Sequence, residues 1–269
     1  MLRTRIVTAA VLAAIVLSVL FALPPGAGIG LVAVLFLAGA WEWARFAGCQ
    51  GVAGRLGYAL ALAALGALAW YATGTWTAWR ALMIASVAWW FIAFLWLAFA
   101  PDAIGRLSAA LAGVCVLVPA WVGLGRLLLL VSPARGGSYV FFVLLVVWAA
   151  DIGAYFAGRR FGRLKLAPAV SPNKTWEGLL GGLAGGLLVS FAGAQYFAFE
   201  RLAFVSLGLA IVLISVIGDL TESMFKRHAG LKDSGRLLPG HGGVLDRIDS
   251  ITSSIPLFVV GLGWLGVLG

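Results

Sequence analysis

Residues 202–220 read LAFVSLGLAIVLISVIGDL, an unbroken apolar run that meets its one acid, Asp219, just before its end. About 20 such residues cross the hydrocarbon core of a bilayer as a helix. The run is continuous rather than alternating, which argues against a barrel strand, and a helix satisfies its own backbone in lipid. Working outward, windows of similar length recur at about 6–23, 28–47, 57–73, 81–100, 107–125, 138–158, 178–198 and 250–269. The expected fold is therefore an all-α polytopic membrane protein of about nine transmembrane helices. In the seventh window, Gly181-Gly182 and Gly185-Gly186 recur four apart and let another helix approach closely.

Composition agrees. Of 269 residues, 62% are hydrophobic and only 11% charged, against about 25% in ordinary soluble domains. A soluble protein with a single core is excluded. The net charge of +9 fits anionic headgroups and topology signals better than nucleic acid, so no nucleic-acid partner is expected. Cys49 and Cys115 lack the spacing of a zinc site or a disulfide framework and read as packing residues. The first window follows Arg3 and Arg5 like a signal peptide. It is long for one, though, and Pro24-Pro25 is no small-residue cleavage site, so it reads as a retained span.

With an odd number of spans the termini lie on opposite sides. Arg80, Arg126, Arg135 and Arg201 fall on one side and the rest of the 19 Lys and Arg on the other. The positive-inside rule then predicts a cytoplasmic N-terminus and an external C-terminus, in a bacterial-type inner membrane. Two connections are long, about 159–177 and 221–249, and both are cytoplasmic on this topology. The chain reads as one membrane domain over 1–269, with 1–137 as scaffold and 138–269 carrying the chemistry.

Seven of the ten acids, Asp151, Glu177, Asp219, Glu222, Asp233, Asp246 and Asp249, lie in or beside these two connections. Asp219, Glu222, Ser223 and Lys226 share a face if their helix continues past the membrane, and Asp246, Asp249, Ser250 and Ser253 repeat the spacing. Charges at a membrane edge are costly unless they meet a cavity, a cation or a basic partner. Metal binding by Asp219 and Asp246 ranks ahead of a structural ion pair. Asp151, Tyr155 and Arg159 also stack at helical spacing, which places a third helix beside a polar cavity at the cytoplasmic face.

Between these acids, Lys226, Arg227, Lys232, Arg236 and Arg247 suit phosphate oxygens. Gly240, Gly242 and Gly243 permit close backbone approach. His241 is either a substrate contact or a hydrogen-bonded structural residue. In the other loop, Ser171 is a candidate N-cap with Pro172 as the first helical residue, and Lys174 beside that helix start makes an anion site.

The stretch from Ser223 to Asp249 resembles the signature of the phosphatidate cytidylyltransferases. It carries Ser223, Lys226-Arg227, Lys232-Asp233, Gly235, Leu238-Pro239, His241-Gly242-Gly243, Asp246-Arg247 and Asp249 in the family's order and spacing. The Asp151 region and the Ser-Pro-Asn-Lys-Thr-Trp-Glu stretch at 171–177 are similar as well. The resemblance implies transfer of a cytidylyl group from CTP to phosphatidic acid at the membrane, with Mg²⁺ as cofactor and a homodimeric assembly. On that reading Asp219 and Asp246 hold the metal, with Asp249 as a further ligand. Asp219, Lys226, Arg227 and Asp246 form the catalytic set. Ser171, Asn173, Lys174, Ser223, Lys232, His241 and Arg247 are substrate contacts.

Two alternatives stand beside it. A transporter of an anionic lipid or phosphorylated metabolite would place charges near the bilayer midplane on broken helices, often with internal repeats, whereas these charges gather at one edge. A CDP-alcohol phosphotransferase would need a D-G-x-x-A-R motif, which the sequence lacks.

Overall fold

A computed structural model describes residues 2–130, 133–238, 240 and 242–268, so the expectation for His241 lies outside the described residues. In chain order the elements are α1 (Leu2–Phe21), α2 (Pro25–Trp43), α3 (Val52–Ala72), α4 (Trp76–Phe99), α5 (Arg106–Leu128) and α6 (Pro133–Phe161). Then come β1 (Lys165–Ala167), β2 (Ser171–Thr175), α7 (Trp176–Phe197), α8 (Arg201–His228) and α9 (Leu245–Trp264). Among the described residues, α2 through α8 are long and apolar enough to cross a membrane. The apolar part of α1, Ala10–Phe21, is shorter. α9 carries Asp246, Arg247 and Asp249 near its start.

The helices are all where apolar windows stand, but several run further than hydropathy alone marks. α8 has 28 residues, about 42 Å at 1.5 Å per residue, well beyond a hydrocarbon core of about 30 Å. The helix is therefore about two turns longer than a span needs. Glu200 caps α8, accepting from the backbone N–H of Leu202 at 2.9 Å and of Ala203 at 2.6 Å. Those two donors hold its carboxyl below the usual glutamate range.

One local expectation is corrected. Ser171 is not an N-cap and Pro172 does not open a helix, because Ser171–Thr175 is a strand paired antiparallel with Lys165–Ala167. The helix starts later, at Trp176, where the Thr175 hydroxyl accepts from Gly178 N–H at 3.1 Å. Lys174 accordingly projects from a hairpin, not from the first turn of a helix.

α7 lies against α6 along its glycines. A Cβ on Gly181 would run into Ala157 and the Gly153 carbonyl, and one on Gly185 into the Ala149 carbonyl. The close approach expected of these glycines is therefore made, and it presses the α6 end that carries Asp151 and Tyr155 against β2 and α7. α8 and α9 run antiparallel in equally close contact. The Ser253 hydroxyl donates to the Ile214 carbonyl at 2.9 Å, and a Cβ on Gly218 would strike Ser253 and the Asp249 carbonyl. Phe204, Leu117, Leu127, Phe258 and Val259 are buried in the core that α5, α8 and α9 share. The Trp43 indole N–H donates to the Ala109 carbonyl at 2.8 Å and its ring meets Phe225, tying α2 to both α5 and α8.

Candidate active site

A polar cavity of about 580 Å³ opens between α6, β2, α7 and α8, with Ser250 of α9 at its back. Asp151, Tyr155 and Arg159 line it from α6, the helix that sequence spacing placed beside a cavity. Ser171, Asn173 and Lys174 enter from β2, and Asp219 from α8. The hairpin is what brings its three residues to the acids. Lys174 Nζ lies 2.6 Å from Asp219 Oδ2, and the Ser223 hydroxyl donates to the other Asp219 oxygen at 3.3 Å. The charges of Asp151 and Asp219 repel one another, as do those of Asp219 and Asp249. Lys174 and Arg247 offset the repulsion at Asp151. Crowded carboxylates held beside cations suit a ligand that brings both phosphates and a metal.

Deeper along the α8–α9 contact is a second cluster. The Lys226 ammonium is buried and donates to Glu222 Oε2 at 2.9 Å and to Asp246 Oδ1 at 2.7 Å. Asp246 Oδ2 also accepts from Ser234 N–H at 3.0 Å, from the Ser234 hydroxyl at 2.9 Å and from Gly243 N–H at 2.8 Å. Four donors thus surround one carboxylate. Gly242 has φ +83°, in the left-handed region, and a Cβ there would press on Asp246. At Gly243 a Cβ would collide with Ser234 and Glu42. These glycines fold the loop tightly around the protein's own acids.

Glu42, at the end of α2, was not among the residues singled out from sequence. It is buried, at 2% exposure. One oxygen accepts from Leu245 N–H at 2.8 Å and the Ser234 hydroxyl at 3.0 Å, and the other accepts from Val244 N–H at 3.2 Å. Arg45 Nη1 adds a donation to the Ser234 carbonyl at 3.0 Å. The N-terminal helices therefore hold the loop that places Asp246. The signal was present in the sequence: a lone acid between two tryptophans, Trp41-Glu42-Trp43, inside an apolar run.

The remaining expected site residues are spread wider. Arg227 donates to the carbonyls of Val170 and Leu231 and faces a separate small pocket with Asp102 and His228. Lys232 is exposed. Arg247 lines an apolar cavity while its charge acts on Asp151. Asp219 and Asp246 have separate partners, Lys174 and Lys226 respectively, and Asp219 is the one that lines the polar cavity. Asp249 Oδ1 accepts from Ser250 N–H at 2.7 Å. Among the described residues, no three His, Cys, Asp or Glu converge as a ready metal cluster. Mg²⁺ does not require one, since it takes one or two carboxylates and completes its shell with water and substrate phosphates. The hard oxygens of Asp219, with Asp249 and Asp151 close by, fit that demand. Those of Asp246 fit only at the expense of the Lys226 bond.

Residues 3–264 match the model of the cytidylyltransferase family. A phosphatidate cytidylyltransferase of Pseudomonas aeruginosa is 43% identical over 274 residues, covering 98% of this chain and 99% of that protein. One from Haemophilus influenzae is 41% identical, covering 96% of this chain and 97% of that protein. Another, from Staphylococcus aureus, is 41% identical over 168 residues, 62% of this chain and 65% of that protein. With the family match running along nearly its whole length, and relatives above 40% identical over almost all of both chains, the chain belongs to the cytidylyltransferase family.

Proposed function

We propose that this chain transfers the cytidylyl group of CTP to phosphatidic acid, giving CDP-diacylglycerol and pyrophosphate. The observation that carries the reading is the polar cavity in which Lys174, Asn173 and Ser171 face Asp219 and Asp151 at the edge of a membrane bundle. A two-tailed lipid can keep its chains in the bilayer while its phosphate enters there, and CTP can arrive from the aqueous side.

The phosphate monoester of phosphatidate loses its second proton near pH 6, by analogy with phosphorylated side chains, so a nucleophilic oxygen is present at neutral pH without a protein base. That oxygen attacks the α-phosphorus of CTP. A new phosphorus–oxygen bond forms as the α–β anhydride breaks, and pyrophosphate departs with the electron pair. The chain's task is to hold two polyanions in line and offset their repulsion. Lys174 would do this from within the cavity and Arg247 from the neighbouring apolar one, while Asn173 and Ser171 would orient oxygens and Ser223 would hold Asp219. Lys232 and Arg227 would meet the incoming nucleotide from outside the cavity, and His241 belongs to the same stretch of sequence as Lys232. Lys226 serves by holding Asp246 and Glu222 in place.

Mg²⁺ is part of the proposal. Asp219 would hold it with Asp249 beside it, and Asp246 could join with loss of its Lys226 bond. Bound there, the metal would neutralise phosphate charge and polarise the phosphoryl group. The cavity faces the cytoplasm in this reading, as the distribution of Lys and Arg implies, and the protein works as a homodimer in a bacterial inner membrane.

Purified protein in detergent with labelled CTP, phosphatidate and Mg²⁺ should release pyrophosphate and form CDP-diacylglycerol. Folded protein that forms neither would overturn the reading. Cross-linking in native membranes checks the dimer, and cysteine accessibility at the hairpin checks the side on which the cavity opens.

A further inference from the structure

Beside the polar cavity lies a second one of about 340 Å³, enclosed by α1, α2, α5, α6 and α9. Its wall is aliphatic and aromatic, with Val32 and Phe36 from α2, Val140 and Leu144 from α6, and Ile251 and Ile255 from α9. Among its described lining residues Arg247 is the single charged one. The same arginine acts electrostatically on Asp151, which lines the polar cavity.

Two helices wall both cavities. On α9, Arg247, Ile248, Ile251 and Ile255 form the stripe toward the apolar side, with Val244 just before the helix, while Ser250 turns to the polar side. On α6, Val140, Leu144 and Trp148 face the apolar cavity, and Asp151 and Tyr155, one turn and two turns further on, face the polar one. From Arg247 to Ile255 the stripe runs roughly 12 Å at 1.5 Å per residue. That is close to the depth of one monolayer, about half of a 30 Å hydrocarbon core.

We infer that this cavity holds one acyl chain of the phosphatidate substrate, with Arg247 at its mouth holding the lipid phosphate on the side of the polar cavity. The inference rests on the proposed reaction and adds the lipid's binding place. Charge complementarity selects the occupant: an apolar slot of monolayer depth with one cation at its rim fits an anionic single-headed lipid better than a neutral one. Residues such as Ile251 and Val140 then set the chain length that is accepted.

The test uses the full-length protein in mixed micelles with phosphatidate carrying a diazirine near the end of one acyl chain, and maps the labelled peptides. Labelling should fall on the 140–148 and 251–255 segments. Excess unlabelled phosphatidate should reduce it at least fivefold and phosphatidylcholine should not. Equal competition by both lipids, or label confined to the outer faces of α3 and α4, would overturn the inference. Ile251→Trp should lower the ratio of dioleoyl to dioctanoyl phosphatidate turnover at least tenfold, with Val140→Phe as an independent second filling. Leu111→Trp, on the exposed face of α5, should leave the ratio as in wild type; an unaltered ratio in both filled variants also counts against the cavity. Wild-type protein that forms no CDP-diacylglycerol would remove the reaction, while the labelling pattern would still decide what the cavity holds.

Discussion

Glu42 and Ser234 stand 192 residues apart and share a 3.0 Å hydrogen bond, with the Ser234 hydroxyl donating to the carboxylate. Ser234 also donates its N–H to Asp246, and its single hydroxyl proton lies within reach of both carboxylates. A residue in the second helix thus fixes an acid at the head of the last one. The Val244 and Leu245 N–H groups end on the same carboxylate.

Replacing Glu42 therefore reaches the site without touching the polar cavity. Glu42→Ala leaves two buried N–H donors without acceptors, at about 1–3 kcal/mol each. The expected result is a lower unfolding temperature in detergent together with a turnover loss of at least tenfold. Glu42→Gln keeps an acceptor and should lie between the two. Thermal unfolding and pyrophosphate release, measured on the same preparations, check the order.

Lys226 holds Glu222 and Asp246 apart in a buried triad. Lys226→Met strands two carboxylates in a low-dielectric contact and should destabilise the protein by about 3–5 kcal/mol. Adding Glu222→Gln removes one of the two charges and should recover part of that loss. A double-mutant cycle by denaturant unfolding in detergent reads the coupling. Strict additivity of the two changes would show that the three groups do not act together.

Asp219 lines the polar cavity, where it meets Lys174. Asp219→Asn should reduce turnover by at least about 10²-fold, the scale of losing one preorganised electrostatic partner, with little effect on stability. Chelation of divalent ions should abolish activity in the wild type, and added Mg²⁺ should restore it. For Asp246→Asn both stability and turnover should fall, because that carboxylate also gathers Ser234, Gly243 and Lys226.

The N-cap of α8 gives a pH prediction. Folding lowers the Glu200 carboxyl below its unfolded value through its two backbone donors. Its contribution is therefore complete above the unfolded glutamate value, near about 4.3, and is lost as pH falls through the lower folded one. The stability difference between wild type and Glu200→Ala should be constant around neutrality and shrink under acid. Unfolding temperatures across that range check it.

The bundle was legible because each span announces itself by an apolar run longer than any soluble strand, and the glycines of α7 by their four-residue spacing. The polar stripe Asp219–Lys226 was legible too, since i, i+3, i+4 and i+7 share a face on any helix that continues. Less visible was the hairpin. Ser171-Pro172 has the chemistry of a helix start, and only pairing with Lys165–Ala167, a contact outside local sequence, makes it a strand. Glu42 was hidden for a related reason: its partners are backbone groups some two hundred residues away. The same holds for Asp246. Spacing placed it beside Asp219 in sequence logic, whereas Lys226 claims it in space.

The polar head of α9 bears on how the chain is made. With Asp246, Arg247 and Asp249 near its start, it would leave the translocon reluctantly by itself, since each such charge is penalised in lipid. α8 supplies Lys226 against Asp246 and Ile214 against Ser253. Biogenesis is thus best served if the two segments enter the bilayer together as a hairpin.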